Sequence, residues 1–332
     1  MKHFIIIFLA VLIIPFKLIG QKDLQNKIEV YIKLAEENYS KENYDQAMIN
    51  LDSASALDPD NGEIYRIRGM IYYEQSESRR AINEFNNAIR FDPGNPETYF
   101  YRSLVRFEVG DHRNYSLNDI NMAIELQPDN AIYYIEKANY LTSTTYPVPE
   151  YNLAIQTISQ AISIDPENAH YYAIRAKYNS DSDQLLASLS DYSKSIEMDP
   201  SIAEYYNKRG IIYLRIEDYL KAIEDFNSAI QIDPLNENYI ISRGQARFNM
   251  TEYETAILDF TLSIDTIYRK ISEVPGQINL DHPLNKALRR SYFLRGSALL
   301  QSESTFEACQ DFEAAANLGE SRATSYKRRY CR

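Results

Sequence analysis

Tryptophan is absent from this chain of 332 residues, and histidine, glycine and proline are scarce, at 4, 10 and 12. Each shortage excludes something. The histidines, His3, His112, His170 and His282, form no pair with metal-ligand spacing. Ten glycines leave no glycine-rich phosphate loop. The stretch "DPDNG" from Asp58 opens like a calcium loop, but Pro59 and the missing distal glutamate break the pattern. Positive charge is also short: 35 Lys and Arg face 47 Asp and Glu, for a formal charge of -12. That field opposes approach to phosphate backbones, so nucleic acid is not an expected partner. No catalytic, cofactor-binding or metal-binding residue is assigned, and the chain is expected not to be an enzyme.

One apolar run stands out, "FIIIFLAVLIIPF" from Phe4 to Phe16. It is too short to cross a bilayer comfortably but suits the h-region of a secretory signal. Residues 1–20 are therefore predicted to be a signal peptide, and the protein to be exported, periplasmic or extracellular. Lys17 and the poor occupant Leu18 near the cleavage point keep an uncleaved signal anchor open as a route to membrane retention. Removing Lys2 and Lys17 leaves 33 minus 47, a charge of -14.

What is plentiful is aromatic: 28 Tyr and 13 Phe. With turns so few, the composition suits helices joined by short connections. Helix-ending prolines recur at Pro59, Pro93, Pro128, Pro166, Pro200 and Pro234, spaced 34, 35, 38, 34 and 34. Two further units lack the proline but keep Ala256 with Phe260, and Ala308 with Phe312. Counted from each unit's start, the fourth position holds Tyr31, Tyr65, Tyr99, Tyr134, Tyr172, Tyr206, Ile240 and Tyr292. The eighth holds Ala35, Gly69, Ser103, Ala138, Ala176, Gly210, Gly244 and Gly296, all small. The twentieth holds Ala or Ser, and the twenty-fourth holds Leu51, Phe85, Ile120, Ile158, Tyr192, Phe226, Phe260 and Phe312.

In period and in these positions the chain resembles tetratricopeptide repeat proteins over about nine tenths of its length after the signal. The resemblance implies an all-α, right-handed superhelical solenoid of about eight helix-turn-helix units. The expected layout is units 1–7 over 21–270, an insertion at 271–288, unit 8 over 289–320 and a capping helix over 321–332. Small residues such as Gly210 and Ala222 let two helices approach, while Tyr206 and Phe226 fill the space beside them. Each Asp-Pro step disfavours helix at its aspartate and stops the second helix. Asn61, Asn95, Asn130, Asn168 and Asn236 are then placed to cap the next first helix.

The seventh position is basic in most units: Arg68, Arg102, Lys137, Arg175, Arg209, Arg243 and Arg295. The acidic twenty-third position, Glu84, Asp119, Asp191, Asp225, Asp259 and Asp311, predicts pairing inside each repeat rather than an anion-binding ladder. Family members that grip a C-terminal carboxylate use Lys, Asn and Arg at inner positions. The matching positions here read Glu29, Ile32, Glu36, Glu63, Arg66 and Met70, so that activity is not expected. Further along, the positions that line the family's concave groove include Met70, Tyr73, Phe100, Leu104, Phe107, Ile135, Ile211, Leu214, Ile241, Phe248 and Phe293. These are candidates for a protein- or peptide-binding groove, the competing reading being packing against the neighbouring repeat.

The loop "STTYPVPE" in the fourth unit and the stretch 271–288 are read as turns or contact elements. At the C-terminus "SRATSYKRRYCR" predicts a helix covering the last repeat, with a lipid-binding basic tail as the sharper alternative. Cys309 and Cys331 are predicted to form a disulfide that staples this cap in an oxidising compartment. Function is expected to be that of a non-enzymatic scaffold or assembly factor binding a protein or peptide, without cofactor. The alternative is recognition of envelope polysaccharide through tyrosines and the 271–288 insertion.

Overall fold

The computed structural model describes residues 22–111, 113–143, 148–276 and 279–331. The signal read at 1–20 therefore lies outside the described residues, as do His112, Pro147 and Arg332. Among the described residues there are seventeen helices and no strands. Contacts divide them into two compact units, one ending at Asp165 and one beginning at Pro166.

In the first unit, α1 (22–40) pairs with α2 (Tyr44–Ser55), and α3 (Gly62–Glu74) with α4 (Ser78–Phe91). Next come α5 (Pro96–Glu108) with α6 (Arg113–Leu126), and α7 (Ala131–Thr142) with α8 (Tyr151–Ile164). The second unit pairs α9 (Ala169–Asp181) with α10 (Leu185–Met198) and α11 (Ala203–Arg215) with α12 (Tyr219–Ile232). It continues with α13 (Glu237–Asn249) and α14 (Tyr253–Glu273), then α15 (Pro283–Gln301) and α16 (Thr305–Asn317), and closes on α17 (Ser321–Tyr330).

The boundaries follow from side-chain chemistry. Asn61, Asn130, Asn168 and Asn236 each accept from the backbone N–H two residues on, and Asn95 from Thr98. Asp92, Asp165, Asp199 and Asp233, each followed by proline, are the C-caps of α4, α8, α10 and α12. The fourth-position tyrosines fasten that turn: Tyr65, Tyr99, Tyr134 and Tyr172 each donate to the carbonyl of the proline six residues earlier, at 2.7–3.3 Å. In the seven repeats whose fifteenth position is described, the first helix ends at a left-handed residue there. It is Gly110 in one case but Glu42, Ser76, Asp183, Glu217, Thr251 and Glu303 in six others.

The arginine series pairs internally. Arg102–Asp119, Arg175–Asp191, Arg209–Asp225, Arg243–Asp259 and Arg295–Asp311 are bidentate, with N–O distances of 2.6–3.1 Å. The carboxylates are only 3–9% exposed. The third arm of four of these arginines reaches back to the preceding repeat, at Asn86, Ser193, Asn227 and Thr261. Arg68 departs from the expected pairing: it bonds Asp52 of the preceding repeat at 2.6 Å. Glu84, its expected partner, keeps one buried oxygen unbonded, and burial raises its pKa.

The stretch 271–288 is helical at both ends, with the connection between repeats confined to 274–282. Its first residues complete α14 and its last begin α15, and those helices are 21 and 19 residues long against 12–14 for α2–α13. The extensions bury Ile264, Ile267 and Leu288 in one cluster, with Ile271, Leu284 and Tyr292 packed against it. The cap is a helix, held by Ala323 and by Tyr326 against Phe293 and Phe312 at 5.3 and 5.2 Å. Cys309 and Cys331 are joined as a disulfide, with Cα atoms 5.6 Å apart. Reduction in a protein from an oxidising compartment, followed by thiol titration, counts that bond directly.

Candidate protein-binding face

The first helices of the four repeats in the first unit, α1, α3, α5 and α7, share one side, and the candidate groove residues divide on it. Met70 is buried, as are Ile241 and Phe293 in the second unit, at 8%, 0% and 6% exposure. For these three the groove assignment is corrected: they are core residues, closed off by the neighbouring repeat or the cap. Tyr73, Phe100, Leu104, Phe107, Ile135, Leu214 and Phe248 are half-buried, and Ile211 is exposed at 36%. Neighbours explain the partial cover. Phe107 stacks on Tyr140 with centroids 4.4 Å apart, Phe100 tilts against Tyr133 at 5.1 Å, and Phe248 meets Tyr253 edge-on at 5.5 Å.

Between these rings lies a ladder of phenols and carboxylates. The Tyr39 hydroxyl donates to Glu74 at 3.2 Å, and one repeat on, the Tyr73 hydroxyl donates to Glu108 at 2.6 Å. Arg66 is 8% exposed and is held by carboxylates from three successive repeats: Glu36 at 3.5 Å, Glu97 at 2.9 Å, and Glu63 through two bonds. The Met70 sulfur accepts from the same guanidinium at 3.2 Å. Burial raises the Tyr39, Tyr73, Tyr101, Tyr133 and Tyr140 phenols, and Glu74, Glu97, Glu108 or Glu136 adds to each. Glu136 itself is raised by burial.

The equivalent side of the second unit mixes its charges. Glu204 accepts from Tyr239 at 3.2 Å and from Lys208 at 3.1 Å, and Arg215 bonds Asp183 at 2.9 Å. Asn207 is buried there with its carbonyl oxygen unbonded.

Sequence reasoning selected the apolar members of this face and passed over the polar ones. A signal was present: Tyr39 and Tyr73 precede Ser40 and Glu74 at the repeat spacing, and Glu108 continues the acidic series 34 residues after Glu74. A second concavity, of about 440 Å³, lies against α1 and α2 and is lined by Asn26, Lys27, Val30, Tyr31, Ser53 and Leu57. Val30 is 56% exposed, whereas the third position is buried in the other seven repeats. Among the described residues no group of three His, Cys, Asp or Glu side chains is arranged to hold a metal.

Stacked antiparallel helix pairs with this spacing define a helical-repeat solenoid. Tetratricopeptide-repeat family models match residues 32–96 and 203–236, so the chain carries tetratricopeptide repeats in both of its units. Many solved structures share the fold, among them the following two. The C-terminal part of a TPR repeat-containing protein from Cytophaga hutchinsonii aligns with 14% identity over 79% of this chain and 98% of its own, at a TM-score of 0.63. A tetratricopeptide repeat protein from Parabacteroides merdae aligns with 17% identity over 80% of this chain and 99% of its own, at 0.54. No curated protein matches the sequence. The fold is consistent with a protein-binding scaffold, and tetratricopeptide-repeat proteins are generally non-enzymatic.

Proposed function

We propose that this is an exported, non-enzymatic scaffold that binds a protein or peptide on the first-helix side of its first unit. The observation that carries the reading is the half-buried ring surface of Tyr73, Phe100, Leu104 and Phe107, bordered by hydrogen-bonded carboxylates. Aromatic surface at low conformational cost, with polar groups fixed beside it, is what peptide recognition uses. Export rests on the apolar run 4–16. The polysaccharide alternative has less behind it, because both ends of 271–288 are helix and pack Ile271, Leu284 and Leu288 into the second unit.

A photo-crosslinking residue placed at Leu104, half-buried and outside the core clusters, tests the site against one at Asn83, exposed on a second helix. A discrete protein adduct from position 104 and none from 83 is expected in cells that make the protein. Equal adducts from both, or none from either, would remove the binding face.

A further inference from the structure

The charged groups that act on five tyrosines of α1, α3, α5 and α7 are Glu74, Glu97, Glu108, Glu136 and the cation Arg66. That cation is already bound, by three carboxylates and a thioether. It shows how a guanidinium is taken here: carboxylates approach from consecutive repeats beside the Met70 thioether. Glu74 and Glu108 are exposed, each tied to a tyrosine hydroxyl and, among the described residues, to no cation. An ammonium or guanidinium over a half-buried tyrosine ring gains cation–π attraction in addition to the carboxylate's field. The second unit offers no such uniform field, since Lys208 and Arg215 neutralise Glu204 and Asp183.

Resting on the reading of this side as the binding face, we propose that its partner is a basic segment of another protein. Arginine or lysine side chains one repeat apart would seat beside Tyr39 with Glu74 and Tyr73 with Glu108. Charge complementarity sets the choice: an acidic or carboxylate-terminated peptide would meet four glutamates.

A short fluorescent peptide of alternating Arg and Ser, and its counterpart with Glu in place of Arg, are titrated against the full chain by anisotropy. The Arg peptide should bind, weaken with added salt, and lose about tenfold or more in affinity to Glu74→Gln/Glu108→Gln. Those substitutions keep an acceptor for each tyrosine hydroxyl, so the circular dichroism and melting temperature should stay unchanged. Asp45→Asn/Glu125→Gln removes the same charge from exposed positions on second helices and should leave affinity within about twofold. Equal binding of the Glu peptide overturns the proposal, as does equal weakening by the two double variants, which would mean attraction by the net charge alone. An adduct at position 104 that the Arg peptide fails to displace overturns the basic partner while leaving the binding face standing. Absence of the adduct removes both.

Discussion

Glycine stands at the eighth position of a repeat wherever phenylalanine stands at the twenty-fourth. The pairs are Gly69 with Phe85, Gly210 with Phe226, Gly244 with Phe260 and Gly296 with Phe312. Where the eighth residue is Ala or Ser, the facing residue is Leu51, Ile120, Ile158 or Tyr192. The reason is contact: a Cβ built on Gly210 falls 2.8 Å from the Phe226 ring, and on Gly69 2.6 Å from Phe85. Gly210→Ala should therefore cost about 1–3 kcal/mol through overpacking, outweighing roughly 1 kcal/mol of helix propensity gained. The double variant Gly210→Ala/Phe226→Leu should be more stable than Gly210→Ala alone, because Ala35 faces Leu51 in the first repeat without conflict. Urea denaturation of the four members of this cycle measures the coupling, and strict additivity would show that the ring does not set the residue. Both columns were legible in the sequence, but their correlation is a packing fact that shows only when the columns are read as facing pairs. The left-handed fifteenth position was not legible, since Glu217, Thr251 and Glu303 carry none of glycine's signal.

A helix's length here depends on one residue. Four second helices end at an aspartate because proline follows it. In the seventh repeat Asp265 is followed by Thr266, and α14 continues to Glu273. The uninterrupted helix carries Ile267 and Ile271 to meet Leu284 and Leu288 on the extended start of α15. A count of residues between matched repeats sees only an excess at 271–288, which is why the sequence suggested a loop. The missing proline was the clue that α14 runs on into the excess. Thr266→Pro should end α14 near Ile264, like its counterparts, and cost about 3 kcal/mol or more. Loss of hydrogen-exchange protection over 267–273 and of the matching helical signal is the expected result; protection that persists would show that α15 alone holds the segment. The binding face was partly legible on the same terms. Apolar inner positions were identified from periodicity, but burial of Met70, Ile241 and Phe293 depends on how closely the next element packs, and spacing does not encode that.

Across the whole molecule, tyrosine links the packing to a dependence on pH. Burial raises the phenol pKa of Tyr39, Tyr73, Tyr101, Tyr133 and Tyr140 in the first unit, and of Tyr192, Tyr205, Tyr239 and Tyr292 in the second. Tyr239, beside Glu204, is pushed from 10.0 up to about 12. A group whose folded pKa lies above its unfolded value favours the folded state while both states are protonated. As pH passes 10 the unfolded chain loses protons that the folded chain still holds, and stability falls until the folded pKa is reached. With several shifts of one sign, the denaturation midpoint should be level on the neutral side and drop steeply between about pH 10 and 12. Tyrosinate absorbance of the folded chain should rise in two stages, exposed phenols first and the buried set only with loss of helical signal. The carboxylates beside these phenols sharpen the effect, because each phenolate would form next to an existing negative charge. Glu74→Gln/Glu108→Gln should accordingly move the onset of the alkaline transition to higher pH, by lowering the pKa of Tyr39 and Tyr73 toward ordinary values. A single-stage titration near 10, with helicity intact, would mean that the tyrosine ladder is open to water and that its carboxylates are not held against it.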